Sequence, residues 1–186
     1  MRIIAGKYRS RPLTAPPGRH TRPTSDRLRE TLFNVLAPRI AGSIFLDLYA
    51  GSGAVGIEAL SRGAAEAIFV EHAAPALKTI RANLSLLKIH SGHALESATA
   101  AAALKRLVTQ GREVQIVFLD PPYEAAEEYK LILNLLGGAS STILAPEAIV
   151  IAEHARRNEL AETYGNLHRY RTLHQGDASL SFYRVE

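Results

Sequence analysis

Apolar positions along this chain keep switching between two rhythms. From Ser25 to about Leu36, the residues Leu28, Leu32, Val35 and Leu36 recur at helical spacing, and Pro38 and Gly42 are read as the stop. Short apolar runs then alternate with helical patterns. SIFLDLY reads as a strand, AVGIEALSR as a helix stopped by Gly63, EAIFVE as a second strand and APALKTIRANLSLLK as a second helix. Further on, ATAAAALKRLV predicts a helix, VQIVFL a strand, EEYKLILNLL a helix ended by Gly137-Gly138, and EAIVIAEH another strand. The tail RYRTLHQGDASLSFYRV reads as two strands joined by a Gly-Asp turn. Between Lys88 and Ala94 the alternation calls for a strand, yet only IHSGH stands there, so a short or irregular strand is expected.

Strands alternating with helices imply an α/β fold, a mostly parallel sheet with helices on both faces, here closed by an antiparallel C-terminal hairpin on one edge. The N-terminal RIIAGKYRSRPL alternates only loosely and reads as a short hairpin or extended arm, followed by the turn-rich linker TAPPGRHTRPT. The expected organisation is an arm and linker over residues 1–24 and one α/β domain over residues 25–186.

Composition narrows the function. A chain of 186 residues that is 47% hydrophobic suffices for one sizeable core. No apolar run approaches the ~20 residues of a membrane helix, and the N-terminus lacks the pattern of a signal peptide. With no cysteine, disulfides, thiolate metal sites and thiol nucleophiles are excluded. The histidines show no metal-ligand spacing, so no metal is expected. Charge is unevenly placed: residues 1–29 carry Arg2, Lys7, Arg9, Arg11, Arg19, Arg22, Arg27 and Arg29 against a single acid, Asp26, and the remainder is mildly acidic. A basic arm on an acidic body suggests a polyanionic partner. The spacing of two in KYRSR would place its basic residues on one face of a strand.

In open α/β sheets, ligands bind at the carboxyl ends of the strands. The first such end is DLYAGSGAVG, where Gly51, Gly53 and Gly56 spell G-x-G-x-x-G and Glu71 follows at the end of the next strand. A carboxylate there accepts hydrogen bonds from a ribose diol, so an adenosine-bearing cofactor is expected. No Lys-Ser or Lys-Thr pair follows the glycines, which argues against a nucleotide-phosphate loop. NAD calls for a second mononucleotide half or a substrate domain, for which this chain has little room. S-adenosylmethionine needs only close passage along the backbone. Asp47 is placed to meet that cofactor's amino group or to hold the loop. DLYAGSG resembles the first motif of class I methyltransferases.

VQIVF is followed at once by Asp120, Pro121, Pro122 and Tyr123. In a sheet of this kind, that strand end lies beside the cofactor. The lone pair of a planar exocyclic amine is delocalised into its ring. Two acceptors held on its hydrogens pull the nitrogen toward tetrahedral geometry and aim the pair at a methyl group. Asp120 offers a carboxylate, Pro121 a carbonyl on a rigid frame, and Tyr123 a ring on which an extruded base can stack. Taken alone, Asp-Pro and Pro-Pro are also ordinary turn signals.

The chain as a whole resembles the RsmD family, bacterial methyltransferases of guanine N2 in small-subunit ribosomal RNA. The resemblance is carried by RIIAG at 2–6, RPTSDRLRETLFNVL at 22–36, LDLYAGSGAVGIEALSRGA at 46–64, FVE at 69–71 and DPPY at 120–123. It implies a Rossmann-like class I methyltransferase fold and S-adenosylmethionine as cofactor, contacted by Asp47, Ala50, Gly51, Ser52, Gly53 and Glu71, with His72, His93 and Ala94 beside the adenine. It implies Asp120, Pro121, Pro122 and Tyr123 around the target amine, Arg22, Thr24 and Arg27 at the pocket mouth, and Arg2, Lys7, Arg9 and Arg11 on RNA backbone. The implied partner is 16S rRNA or the small ribosomal subunit, in the cytoplasm, with the enzyme a monomer. Adenine N6 methylation of DNA or RNA, and an NAD-dependent oxidoreductase, are the alternative readings.

Overall fold

Ser25 opens the first helix. Its hydroxyl accepts the Leu28 N–H at 3.1 Å, one of the four donors that a helix start leaves unmatched. The computed structural model describes residues 1–16, 25–122 and 126–186. The chain divides into two compact units, Met1–Ala98 and Thr99–Glu186.

In the first unit, helix α1 (Asp26–Ile40) buries Leu28, Leu32, Leu36 and Ile40 along one face. It runs through Pro38, the first expected stop, and ends before Gly42, the second, which has a positive φ of 74°. Proline removes only the bond to the carbonyl of Asn34, an exposed residue, while burial of Ile40 holds the last turn. Strand β1 (Ile44–Leu48), helix α2 (Ala54–Ser61), strand β2 (Glu66–Glu71), helix α3 (Ala74–Leu86) and strand β3 (His93–Ser97) follow. The strands are parallel, in the order β3-β2-β1.

The third strand lies later than the sequence suggested. His93 opens it opposite Ala67, and Ser97 closes it opposite Glu71. Four of its five residues are half-buried and the last is exposed, so HALES carries no apolar run to read.

Residues 1–16 pack within this unit. Ile3 N–H donates to Arg11 O at 3.0 Å, and Ser10 N–H to Ile3 O at 2.8 Å, closing a tight turn. Ile3 and Leu13 are buried with Ala54, Ile57, Ile80 and Leu84. The turn overrides the expected strand face: Arg9 N–H bonds to Gly6 O and Arg11 N–H to Tyr8 O, so Lys7, Arg9 and Arg11 do not line one face of a strand.

The second unit contains helix α4 (Ala100–Thr109), strand β4 (Val114–Leu119), helix α5 (Ala126–Leu136), strand β5 (Leu144–Ala155) and the short strand β6 (Thr163–Tyr164). Strands β7 (Leu167–Gln175) and β8 (Ala178–Val185) form a hairpin around Gly176-Asp177. Strands β4 and β5 are parallel. Strand β8 is antiparallel to β5, β7 to β8, and β6 to β7. This is the α/β class with parallel strands and an antiparallel C-terminal hairpin that the sequence predicted.

Candidate active site

Strand β1 ends in a loop of unusual backbone. Tyr49, Gly51 and Gly53 all have positive φ, at 68°, 54° and 77°. For tyrosine that conformation is strained, and strain of this kind is kept where a loop must hold a particular shape. The loop is closed by Gly53 N–H on Ala50 O at 2.7 Å, and Ala50 N–H ties it to Val70 O at 3.0 Å. A side chain at Gly51 would meet nothing closer than 3.9 Å, so this stretch of backbone faces open space. Gly56 is different: a Cβ there would lie 2.4 Å from the Phe69 ring, so only glycine lets α2 sit against β2.

Two acids govern the loop. Asp47 is buried on β1, and its Oδ2 accepts the Gly56 N–H at 2.9 Å, supplying the first turn of α2 with a cap that Gly53 cannot provide. Burial pushes its carboxyl up to about 7, and the nearby Glu71 carboxylate adds to the rise, while the Gly56 N–H opposes it. Glu71 accepts three backbone N–H groups, from Gly51 at 3.0 Å on one oxygen and from His72 and Ala73, both at 2.8 Å, on the other. A carboxylate offers about four acceptor positions, so one remains for a ligand hydroxyl. Open backbone beside an anchored carboxylate suits a ribose-bearing cofactor.

The second unit carries the other set of groups. Strand β4 ends at Leu119, and Asp120, Pro121 and Pro122 leave it as irregular backbone. Pro121 is buried, with its carbonyl 3.3 Å from the Tyr129 hydroxyl. The same hydroxyl donates to Glu153 O at 2.7 Å, linking the segment that follows β4 to the last residues of β5.

Comparison with known proteins decides what this arrangement belongs to. The family described as Conserved hypothetical protein 95 matches residues 1–184. Ribosomal RNA small subunit methyltransferase D of Escherichia coli is 38% identical over 186 residues, covering 100% of this chain and 90% of its own. The Haemophilus influenzae methyltransferase of the same name is 37% identical over 155 residues, covering 82% of this chain and 78% of its own. The chain belongs to this family. Among solved structures, the yhhF protein of Escherichia coli superposes with a TM-score of 0.85 at 35% identity, covering 100% of this chain and 98% of that one. The fold is therefore that of the class I methyltransferases, which bind S-adenosylmethionine, and the oxidoreductase reading falls away.

Within the family frame, the expected cofactor residues Asp47, Ala50, Gly51, Ser52, Gly53 and Glu71 come together at the carboxyl ends of β1 and β2. Asp47 serves the loop through its bond to Gly56. His72 is exposed, with its Nδ1 3.7 Å from Glu71 Oε1. His93 and Ala94 do not join them. They open β3 opposite Ala67 and Ile68, at the amino end of the strands, because the register puts Ser97 opposite Glu71. The Ala98 N–H, not His93, reaches the Glu71 carbonyl, at 3.1 Å.

Arg2, Lys7, Arg9, Arg11 and Arg27 are described and exposed. Arg2 Nε lies 3.6 Å from Asp26 Oδ2, and Lys7 Nζ lies 5.3 Å from the Tyr8 ring centre. Arg22, Thr24 and Tyr123 lie outside the described residues. His154 is buried and spoken for, with Nδ1 on Ala155 O at 3.0 Å and Nε2 on the Ser181 hydroxyl at 2.9 Å, and burial lowers its pKa. Among the described residues, no group of acids and histidines is placed to hold a metal, and no helix is long and apolar enough to cross a membrane.

Three polar residues escaped the sequence reading. Glu58 is fully buried and accepts the N–H groups of Ile4 and Ala5 and the Arg62 guanidinium. Asn83 is fully buried beside Ile80 and Leu84, and Tyr129 is buried on α5. The available signal was a polar side chain on the apolar face of a helix.

Proposed function

We propose that this protein methylates the exocyclic N2 amine of a guanine in small-subunit ribosomal RNA. Full-length similarity to ribosomal RNA small subunit methyltransferase D supports the substrate class, and the Asp-Pro-Pro-Tyr sequence after β4 supports an amine as the acceptor. The observation that carries the cofactor half is the glycine loop pinned by Glu71 through Gly51.

S-adenosylmethionine supplies a methyl group already activated on a sulfonium. The protein's part is orientation and electrostatics. The remaining acceptor position on Glu71 takes a ribose hydroxyl. The Asp47 carboxyl, which caps α2 through Gly56, would meet the cofactor's ammonium group when it ionises. The stretch Ser97–Thr99, at the carboxyl end of β3, takes the adenine contact in place of His93 and Ala94. The Asp120 carboxylate and the Pro121 carbonyl hold the two hydrogens of the target amine and draw its nitrogen toward tetrahedral geometry. With the cofactor bound, Asp120 would be the base that takes the proton the amine nitrogen must lose on methylation. Tyr123 stacks on the base. Pro122 keeps the turn rigid. Arg22, Thr24 and Arg27 frame the entrance, and Arg2, Lys7, Arg9 and Arg11 meet phosphates, in a monomer working in the cytoplasm.

The deciding assay is transfer of labelled methyl to small subunits lacking methylation, to naked 16S rRNA and to duplex DNA, with nucleoside analysis. N2-methylguanosine at one rRNA site is the expected product. N6-methyladenosine would keep the site chemistry and overturn the substrate, and no transfer to any acceptor would overturn the reading.

A further inference from the structure

Asn83 joins two parts of the first unit that carry different tasks. Its Oδ1 accepts the Thr14 N–H at 2.9 Å. Its Nδ2 donates to Thr14 O at 2.9 Å and to Ser52 O at 2.9 Å. Thr14 closes the N-terminal segment that bears Lys7, Arg9 and Arg11, and Ser52 is in the glycine loop. Both amide hydrogens are used and the side chain is fully buried. The Ser52 hydroxyl reaches the same segment again, 3.6 Å from Met1 Sδ. Just beyond the loop, Glu58 holds the N–H groups of Ile4 and Ala5.

We infer that Asn83 is a positioning residue that couples the two ligands: cofactor binding and RNA binding strengthen each other through the Thr14–Asn83–Ser52 link. This rests on the reading of residues 7–11 as an RNA grip. A purely structural clamp would need the bonds to Thr14 alone, which already satisfy that backbone in both directions. The third bond fixes a carbonyl of the loop along which the cofactor must pass. Settling the loop around a cofactor settles Ser52 O, hence Asn83, hence Thr14. Whichever ligand binds first bears that ordering cost, and the second meets a segment already in place. Linkage requires the effect to be reciprocal.

The test uses the full chain, S-adenosylhomocysteine and an unmethylated 16S rRNA transcript. In the wild type, saturating RNA is expected to tighten S-adenosylhomocysteine binding about tenfold. In Asn83→Asp, which keeps the size but sets an acceptor against the two carbonyls, the ratio should fall to within about twofold of unity. A wild-type ratio of one, or an unchanged ratio in the variant, overturns the inference. Hydrogen exchange on the wild type needs no variant to fold: S-adenosylhomocysteine should slow exchange at the Thr14 amide, and unchanged exchange there also overturns it. The triple reversal Lys7→Glu, Arg9→Glu, Arg11→Glu separates the two levels. If it leaves RNA affinity unchanged, the grip is misplaced and the coupling falls with it. If it weakens RNA binding while Asn83→Asp leaves the ratio unchanged, only the coupling falls.

Discussion

The backbone N–H of Gly51 donates to Oε2 of Glu71 across 3.0 Å, between residues 20 positions apart. The acid that the sequence marks as a ribose ligand is thus also the anchor of the loop. Two roles on one carboxylate predict a double loss. Glu71→Gln retains the shape but places an N–H₂ group against at least one backbone donor. It should weaken S-adenosylhomocysteine binding more than about tenfold and lower stability by about 1–3 kcal/mol. Calorimetric titration and urea unfolding check the two effects. Lost affinity at unchanged stability would make Glu71 a ligand group alone.

Asp47 should impose a pH dependence on folding. Its carboxyl titrates near 3.8 when unfolded and is raised to about 7 in the fold, chiefly by burial. Between those values the folded state holds the proton that the unfolded chain has released. Stability from this group is therefore complete below the lower value and is lost as pH rises through the upper one. Asp47→Asn removes the titration and retains an acceptor for the Gly56 N–H. The variant should gain on the wild type in urea midpoint as pH rises from about 5 to about 8. A constant difference across that range would refute the assignment. If Asp47 also meets the cofactor's ammonium group, wild-type cofactor affinity should rise with pH over the same range and the variant's should not.

Asp120→Ala tests the amine. Methyl transfer should fall by at least about 100-fold, with S-adenosylhomocysteine affinity within a few-fold of wild type. Equal loss of both would mean that Asp120 supports the cofactor rather than the acceptor.

Tyr129→Phe removes the hydroxyl that joins the Pro121 and Glu153 carbonyls. The ring still fills its buried place, so stability should drop by only about 1 kcal/mol. Turnover should fall several-fold while the affinities for cofactor and RNA hold, because the hydroxyl acts through the direction of the Pro121 carbonyl. A drop in the melting midpoint with unchanged kcat would leave Tyr129 a packing residue.

The basic segment cannot be tested by deletion. Ile3 and Leu13 are part of the core, and burying each contributes about 1.5–3 kcal/mol, so truncation would open the first unit. Reversing Lys7, Arg9 and Arg11, all on its surface, should instead flatten the salt dependence of RNA binding by about one to three in the slope of log K against log salt. An unchanged slope would place the RNA contact elsewhere.

Periodicity alone located β2 and β4 to the residue, because both strands are buried on both faces and read as short, mostly apolar runs. The glycine loop and Glu71 were equally legible, since a tight turn and a carboxylate at a strand end are local requirements that residue type reveals. Strand β3 was misplaced because its half-exposed residues have no rhythm: only the register, Ser97 against Glu71, shows which end of that strand lies level with the end of β2. Pro38 was misread as a stop because a lost hydrogen bond is cheap at an exposed residue, and exposure is a tertiary property. The N-terminal segment read as a short hairpin or extended arm, and the antiparallel bridge between Arg2 and Pro12 agrees with the hairpin, but where it packs was not legible. Its place was decided by Glu58 and Asn83, polar groups whose partners lie more than fifty positions away. Local sequence determined what each element is and which chemistry it carries. Only the folded chain decided which polar groups meet, because a buried hydrogen bond depends on distances that no spacing along the chain encodes.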